Sequence, residues 1–171
     1  LPIGSEDNYQ GHCDVVSKTA WIWEADPKNP VGKMVQHEIP ENMVDAVEEA
    51  HSNLIDILAS CSDDILEKYM AEEPIEESLI KETIRDATIK NMIVPVLCGT
   101  AFKNKGIQSL LDAIVDYLPS PLDIPPSIGY TQDSMEEVEI PADPDGKLEA
   151  MAFKIATMPH IGKLVCTRIF S

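Results

Sequence analysis

The spacing of apolar residues changes character several times along this chain. Asp14-Val15-Val16 and Thr19-Ala20-Trp21-Ile22-Trp23 are rich in β-branched and aromatic residues. A turn-forming Asp26-Pro27-Lys28-Asn29-Pro30 follows, and then Met34-Val35-Gln36-His37-Glu38-Ile39. This order predicts a small antiparallel sheet. From Pro40 to about Lys90 the period becomes helical. Val44, Val47, His51, Leu54 and Leu58 recur on one face, Ile65, Leu66 and Tyr69 mark a second short helix, and Leu79, Ile80, Ile84 and Ala87 a third. Glu73-Pro74 separates the last two. Ser62-Asp63-Asp64 supplies a cap and an acidic first turn for the middle one.

The stretch "VPVLCGTAFKNKG", Val94 to Gly106, predicts a strand over Ile93 to Leu97, a glycine-marked turn, and a helix from Gly106 to Leu118 with an apolar stripe of Ile107, Leu110, Leu111, Ile114 and Val115. A turn after a strand and before a helix points free backbone N–H groups beyond the strand's carboxyl end, where open α/β sheets hold ligands. It is also an ordinary connection that needs no ligand. Pro119-Ser120-Pro121 ends the helix. From there to Lys147 the chain turns to Pro, Asp, Glu and Ser, the composition of an extended linker. Leu148 to Ile155 and Lys163 to Phe170 then predict two strands around Met158-Pro159-His160-Ile161-Gly162, the start of a separate β domain. The chain shows no internal repeat.

Charge narrows the partners. A net charge of -17 over 171 residues repels nucleic-acid phosphates and favours a basic protein partner. No run approaches the roughly 20 apolar residues of a membrane span, so a soluble protein is expected. Cys13, Cys61, Cys98 and Cys166 have neither zinc spacing nor the density of a disulfide scaffold, which points to reduced thiols in the cytoplasm. The chain opens on Leu1-Pro2-Ile3-Gly4 without Met and stops in a strand-like run at Ser171, the expectation for a piece of a larger protein.

Candidate chemistry is sparse. A phosphate loop requires G-x-x-x-x-G-K-[ST]. Gly32-Lys33 is followed by Met34 and Gly162-Lys163 by Leu164, so neither qualifies. Asp143-Pro144-Asp145-Gly146 has the spacing of an Asp-x-x-Gly switch but lacks a preceding strand, and a turn is the better reading. Asn104-Lys105 lacks the Asp of a guanine-specificity Asn-Lys-x-Asp. His12 beside Cys13 has no third group or oxyanion element. His37, His51 and His160 have no i,i+4 partner, and no metal site is expected. Trp21 and Trp23 share a face and are expected to pack.

The segments "VPVLCGTAFKNKGIQSLLDAIVDYLPSPLDIPP", "LEAMAFKIATMPHIGKLVCTRIFS" and "LPIGSEDNYQGHCDVV" together resemble the bacterial-type translation elongation factor G family, the GTPases that drive translocation on the ribosome. The resemblance runs in order over nearly the whole chain and is weakest from Ser127 to Lys147. It implies an α/β fold. Residues 1–120 would be the carboxy-terminal part of a P-loop-type GTP-binding domain, its last strand and helix preceded by an α+β inserted subdomain (about 5–90). An acidic Pro-rich linker (121–147) and the first strands of a truncated β-barrel (148–171) would follow. It also implies that Thr100-Ala101-Phe102 is the last guanine-recognition turn, Ser-Ala followed by Phe or Leu in the family. The Ala101 N–H would meet the guanine oxygen, Thr100 would shape the turn, and Phe102 with Lys103 would line the base pocket. GTP or GDP with magnesium would be the cofactor of the intact parent. This chain, lacking the phosphate loop, would bind neither tightly and catalyse nothing by itself.

Glu41, Asp45, Glu48, Glu49 and Asp56 are expected on one face of the first long helix, opposite Val47, Leu54 and Leu58. Like charges at i,i+4 weaken a helix by a few tenths of a kcal/mol each. The face is therefore either simply solvated or a docking surface. By the resemblance its partner would be the ribosomal stalk protein. Two functions stand at this point: a piece of a translational GTPase carrying a guanine turn and a stalk-docking face, or a self-contained acidic protein-interaction domain without nucleotide binding.

Overall fold

The alternation at the amino end becomes a four-stranded antiparallel meander of β1 (Pro2–Ile3), β2 (Gly11–Asp14), β3 (Thr19–Asp26) and β4 (Asn29–His37), in that spatial order. The computed structural model describes residues 1–171, except the side chains of 29–31. Cys13 pairs with Ala20 and His12 with Trp21, so Cys13 and Ala20 share one face of the sheet and His12 and the two tryptophans the other. Val15 and Val16 lie in a turn rather than in a strand. The Asp14 carboxylate accepts the Val16 N–H and the Ser17 hydroxyl, both at 2.9 Å, and this local turn overrides β propensity. The β3–β4 connection is a two-residue turn closed by the Asp26–Asn29 pair, with the Lys28 N–H donated to Asp26 Oδ1 at 2.8 Å.

The three helices form where the 3.6-residue period predicts them: α1 (Val44–Ala59), α2 (Asp63–Met70) and α3 (Glu77–Ile89). Ile55, Leu58, Ile65, Ile80 and Ile84 meet in their common core. Each such side chain removed from water contributes about 1.5–3 kcal/mol. The stripe on α1 is shifted from the expected one, because Ile55 is buried while Val44 stays 40% exposed. A second, smaller core joins α1 to the sheet through Val47, Cys13 and Ala20, with Ile3, Ile39 and Met43 around them. Ser62 stands at the N-cap of α2 with extended backbone, but its side chain makes no capping bond.

Helix α4 (Ile107–Tyr117) packs beside α3. Arg85 of α3 donates from Nη1 to the carbonyls of Val115, Asp116 and Leu118 at 3.0–3.2 Å, satisfying acceptors that the end of α4 leaves open. The expected burial of the α4 stripe fails. None of its residues is buried, and Leu111 and Val115 are 57% and 76% exposed. The expected strand over Ile93 to Leu97 is also absent. Ile93 instead closes the end of α3, its N–H donating to the Ala87 carbonyl and its side chain packing on the helical core, while Val94 and Val96 are almost fully exposed and have no ladder partner among the described residues.

Contacts divide the chain into two units, Leu1–Leu118 and Pro119–Ser171. In the second, the stretch expected as an extended linker contains a hairpin of β5 (Ser127–Tyr130) and β6 (Glu137–Ile140). Hydrogen bonds among Thr131, Ser134 and Glu136 close it, a polar turn that composition alone does not separate from a linker. The two expected carboxy-terminal strands form as β7 (Ala150–Met158) and β8 (Gly162–Ile169), antiparallel, with a bulge between Ala152 and Lys154. Among the described residues they pair only with each other, which leaves the outer edge of each strand without a ladder partner there. The molecule is thus a mixed α and β chain with small antiparallel sheets and four helices. Among the described residues no helix is long and apolar enough to cross a membrane.

Candidate functional site

The turn between Cys98 and Gly106 is built by two glycines and one backbone clasp. Thr100 donates its N–H to the Lys105 carbonyl at 2.8 Å, and Lys105 returns the bond at 3.1 Å. Inside this clasp the Asn104 N–H reaches the Ala101 carbonyl at 3.0 Å, with Asn104 left-handed at φ 51°, a conformation Asn tolerates well. Below it the two legs touch. A Cβ on Gly106 would lie 2.8 Å from Gly99 Cα and 2.9 Å from the Cys98 oxygen, and Gly106 itself has φ 86°. Only glycine combines that angle with that approach. The Gly106 carbonyl then accepts the Leu110 N–H at 3.1 Å and α4 begins.

Thr100, Ala101, Phe102 and Lys103 are therefore brought together in one tight loop. The backbone N–H groups of Ala101, Phe102 and Lys103 have no acceptor among the described residues, and the Phe102 ring is fully exposed. The loop can present N–H donors beside an aromatic face to a planar ligand that carries an acceptor on its edge. Lys103 instead turns to Asp7, its Nζ lying 3.0 Å from Oδ1. Two further contacts bind the loop to the amino-terminal segment. Lys105 Nζ donates to the Tyr9 carbonyl at 3.2 Å, and the Tyr9 hydroxyl donates to the Cys98 carbonyl at 3.3 Å. Tyr9 is buried, and burial first, with Cys98 second, raises its pKa above the usual phenol range. Sequence reasoning missed Tyr9, Lys105 and Asp7 as supports, since their contacts span 89 and 96 residues and leave no local pattern.

The five acidic residues of the first helix separate into three settings. Asp45, Glu49 and Asp56, spaced i, i+4, i+11, form one exposed line opposite the buried Val47 and Leu58. Glu41 is exposed in a 3-10 turn, Glu41–Met43, before α1. Glu48 is one position from Glu49 and thus about 100° round the helix. There it pairs with Lys18 Nζ at 2.7 Å, and this contact holds its carboxyl below the usual range. Asp56 is approached by the Tyr69 hydroxyl of α2, whose pKa it raises. Glu48, His51, Ser52, Tyr69 and Glu73 rim a shallow cleft floored by Ile55 and Ile75.

The other candidate residues have structural roles. His51 Nδ1 lies 2.8 Å from the Val15 carbonyl, tying α1 to the sheet. His12 packs on the Trp23 ring, with centroids 5.8 Å apart, and its burial, helped by the α-ammonium of Leu1, lowers its pKa. Trp23 is buried. Among the described residues no group of three or more His, Cys, Asp and Glu side chains is placed to hold a metal ion.

No family profile matches the chain. A solved protein of Thermus thermophilus shares its fold with a TM-score of 0.71 over 99% of the chain, at 20% sequence identity. The chain spans 22% of that protein's length.

Proposed function

We propose that this chain is part of a translational GTPase of the elongation factor G type, working in the cytoplasm. In this reading its 99–106 turn contributes to guanine recognition and its acidic α1 face docks the ribosomal stalk. The observation that carries the reading is the unpartnered Ala101 N–H at the tip of a turn whose sequence resembles that family's guanine element. A fixed N–H favours the guanine carbonyl oxygen and disfavours the adenine amino group, so the backbone itself discriminates between bases. The Phe102 ring beside it offers a face to the base. These residues suit the base edge alone. Gly32-Lys33 lies within β4 and Gly162-Lys163 opens β8, so neither forms a phosphate cradle. The phosphates and magnesium of GTP, and the hydrolysis coupled to translocation, are assigned to parts of the parent protein outside residues 1–171.

Replacing Ala101 with proline in the intact parent removes the one N–H in question. GDP affinity should fall about tenfold while ADP affinity stays unchanged, the loss expected when a buried acceptor is left unpaired. Titration calorimetry measures both. Unchanged GDP affinity removes the guanine role from this turn, and a parent reading frame without a phosphate loop ends the GTPase proposal altogether.

The docking face has its own test. Asp45, Glu49 and Asp56 changed together to Lys in the intact parent should slow association with stalk-containing ribosomes about tenfold and flatten its salt dependence, since rim charges act on encounter rate. Glu48 is left alone because Lys18 already neutralises it. Stopped-flow on-rates equal to those of the unmodified protein at low and high salt would leave the face merely solvated.

A further inference from the structure

Tyr9 touches both legs of the 99–106 turn. Its hydroxyl donates to the Cys98 carbonyl on the incoming leg at 3.3 Å and lies where a Cβ on Gly106, on the outgoing leg, would come within 3.5 Å. Its own carbonyl accepts Lys105 Nζ from the clasp that closes the loop. The residue has 7% of its surface exposed and the next residue is tied to the meander: Gln10 donates to the Ile3 carbonyl at 2.9 Å, and Trp23 donates to the Gln10 carbonyl at 3.0 Å. The turn thus rests on the sheet through one buried phenol, not through its own hydrogen bonds alone. The third tether, Lys103 to Asp7, is of a different kind. The Asp7 side chain is fully exposed, and such an ion pair contributes little against water and salt.

We infer that Tyr9, with Lys105, is the positioning element of the turn: it fixes where the Ala101 N–H points and thereby sets the strength of the contact to the base oxygen. The inference rests on the guanine reading of the turn. A phenol is protonated, and so a donor, near neutral pH, and burial raises the Tyr9 pKa further. Because Tyr9 lies two residues before β2, in the meander's connection of β1 to β2, and α1 packs on that meander through Val47, the placement of the base-reading amide is supplied by the sheet side and not by the nucleotide-facing loop itself.

The test compares GDP with 2-aminopurine riboside diphosphate in the full-length parent, since the second ligand lacks the base's carbonyl oxygen. The change in the ratio of their affinities on substitution reports the contact to that oxygen, since the accompanying difference at N1 is common to every variant. Tyr9→Phe keeps the ring and removes the hydroxyl, and Lys105→Met removes the bond to the Tyr9 carbonyl. Each should lower the ratio about fivefold, the size of one hydrogen bond, with 2-aminopurine affinity unchanged. If the unmodified parent binds no guanine nucleotide, the guanine reading itself fails. If it binds and discriminates while both variants keep its ratio, the positioning role is overturned. A parallel loss of both ligands, accompanied by a lower melting temperature, would show Tyr9 to be a packing residue only and would overturn it equally.

Discussion

Gly106→Ala is expected to destabilise the Leu1–Leu118 unit by about 2–4 kcal/mol, far more than a single added methyl group usually costs. Two penalties combine. A left-handed φ of 86° disfavours any side chain by about 1 kcal/mol. The new Cβ would also press at 2.8–2.9 Å on backbone atoms of Gly99 and Cys98, which cannot rotate away as a side chain would. Relief requires the legs of the turn to part, which pulls the Cys98 carbonyl from the Tyr9 hydroxyl and strains the Thr100–Lys105 clasp. Trp21 and Trp23 both lie on β3, so urea unfolding followed by their fluorescence reports this unit alone. A midpoint shift worth less than about 0.5 kcal/mol, the range of neutral surface changes, would refute the account.

Leu58→Ala should cost a similar or larger amount, about 3–5 kcal/mol, by a different route. Leu58 has no exposed surface and sits among Ile55, Ile65, Ile80 and Ile84, drawn from all three helices of the core. Truncation loses the transfer energy of three methyl or methylene groups and leaves a cavity that neighbours on separate helices cannot readily close. The two variants separate by hydrogen exchange. Leu58→Ala should lower protection throughout α1, α2 and α3 while the Thr100 and Lys105 amides keep their order relative to the rest. Gly106→Ala should expose those two amides first. A Leu58→Ala midpoint within about 1 kcal/mol of the unmodified chain would show that the core repacks around the gap.

The helical part of this fold was legible because periodicity is a local property. Val47, Leu58, Ile65, Ile80 and Ile84 announce their faces within a few residues of themselves, and each is buried. Turns were read less well. Val15 and Val16 have strand propensity, but one aspartate carboxylate diverts them into a turn. Val94 to Leu97 and most of the α4 stripe have the apolar pattern of buried elements yet remain largely uncovered, since pattern states what a segment can pack against and not whether that partner is among these residues. In the candidate site, the turn itself could be found from its glycines and its family-like sequence. Glu48 was misplaced because a helix face excludes the neighbouring position, and Lys18 claims that carboxylate. The supports from Tyr9 and Asp7 had no sequence signal, being contacts between distant segments.

That distance has a consequence for how the protein is made. Tyr9 is synthesised before the turn and must wait for Cys98 and Lys105, 89 and 96 residues later, before the turn can dock. Closing so long a loop is slow and entropically costly unless the intervening chain has already shortened it. Helices α1 to α3 do so, packing on one another through the isoleucine core and, through Val47 of α1, on the sheet. The 99–106 turn then docks after the residues that precede it, and its geometry becomes available only to a chain whose preceding residues have already folded.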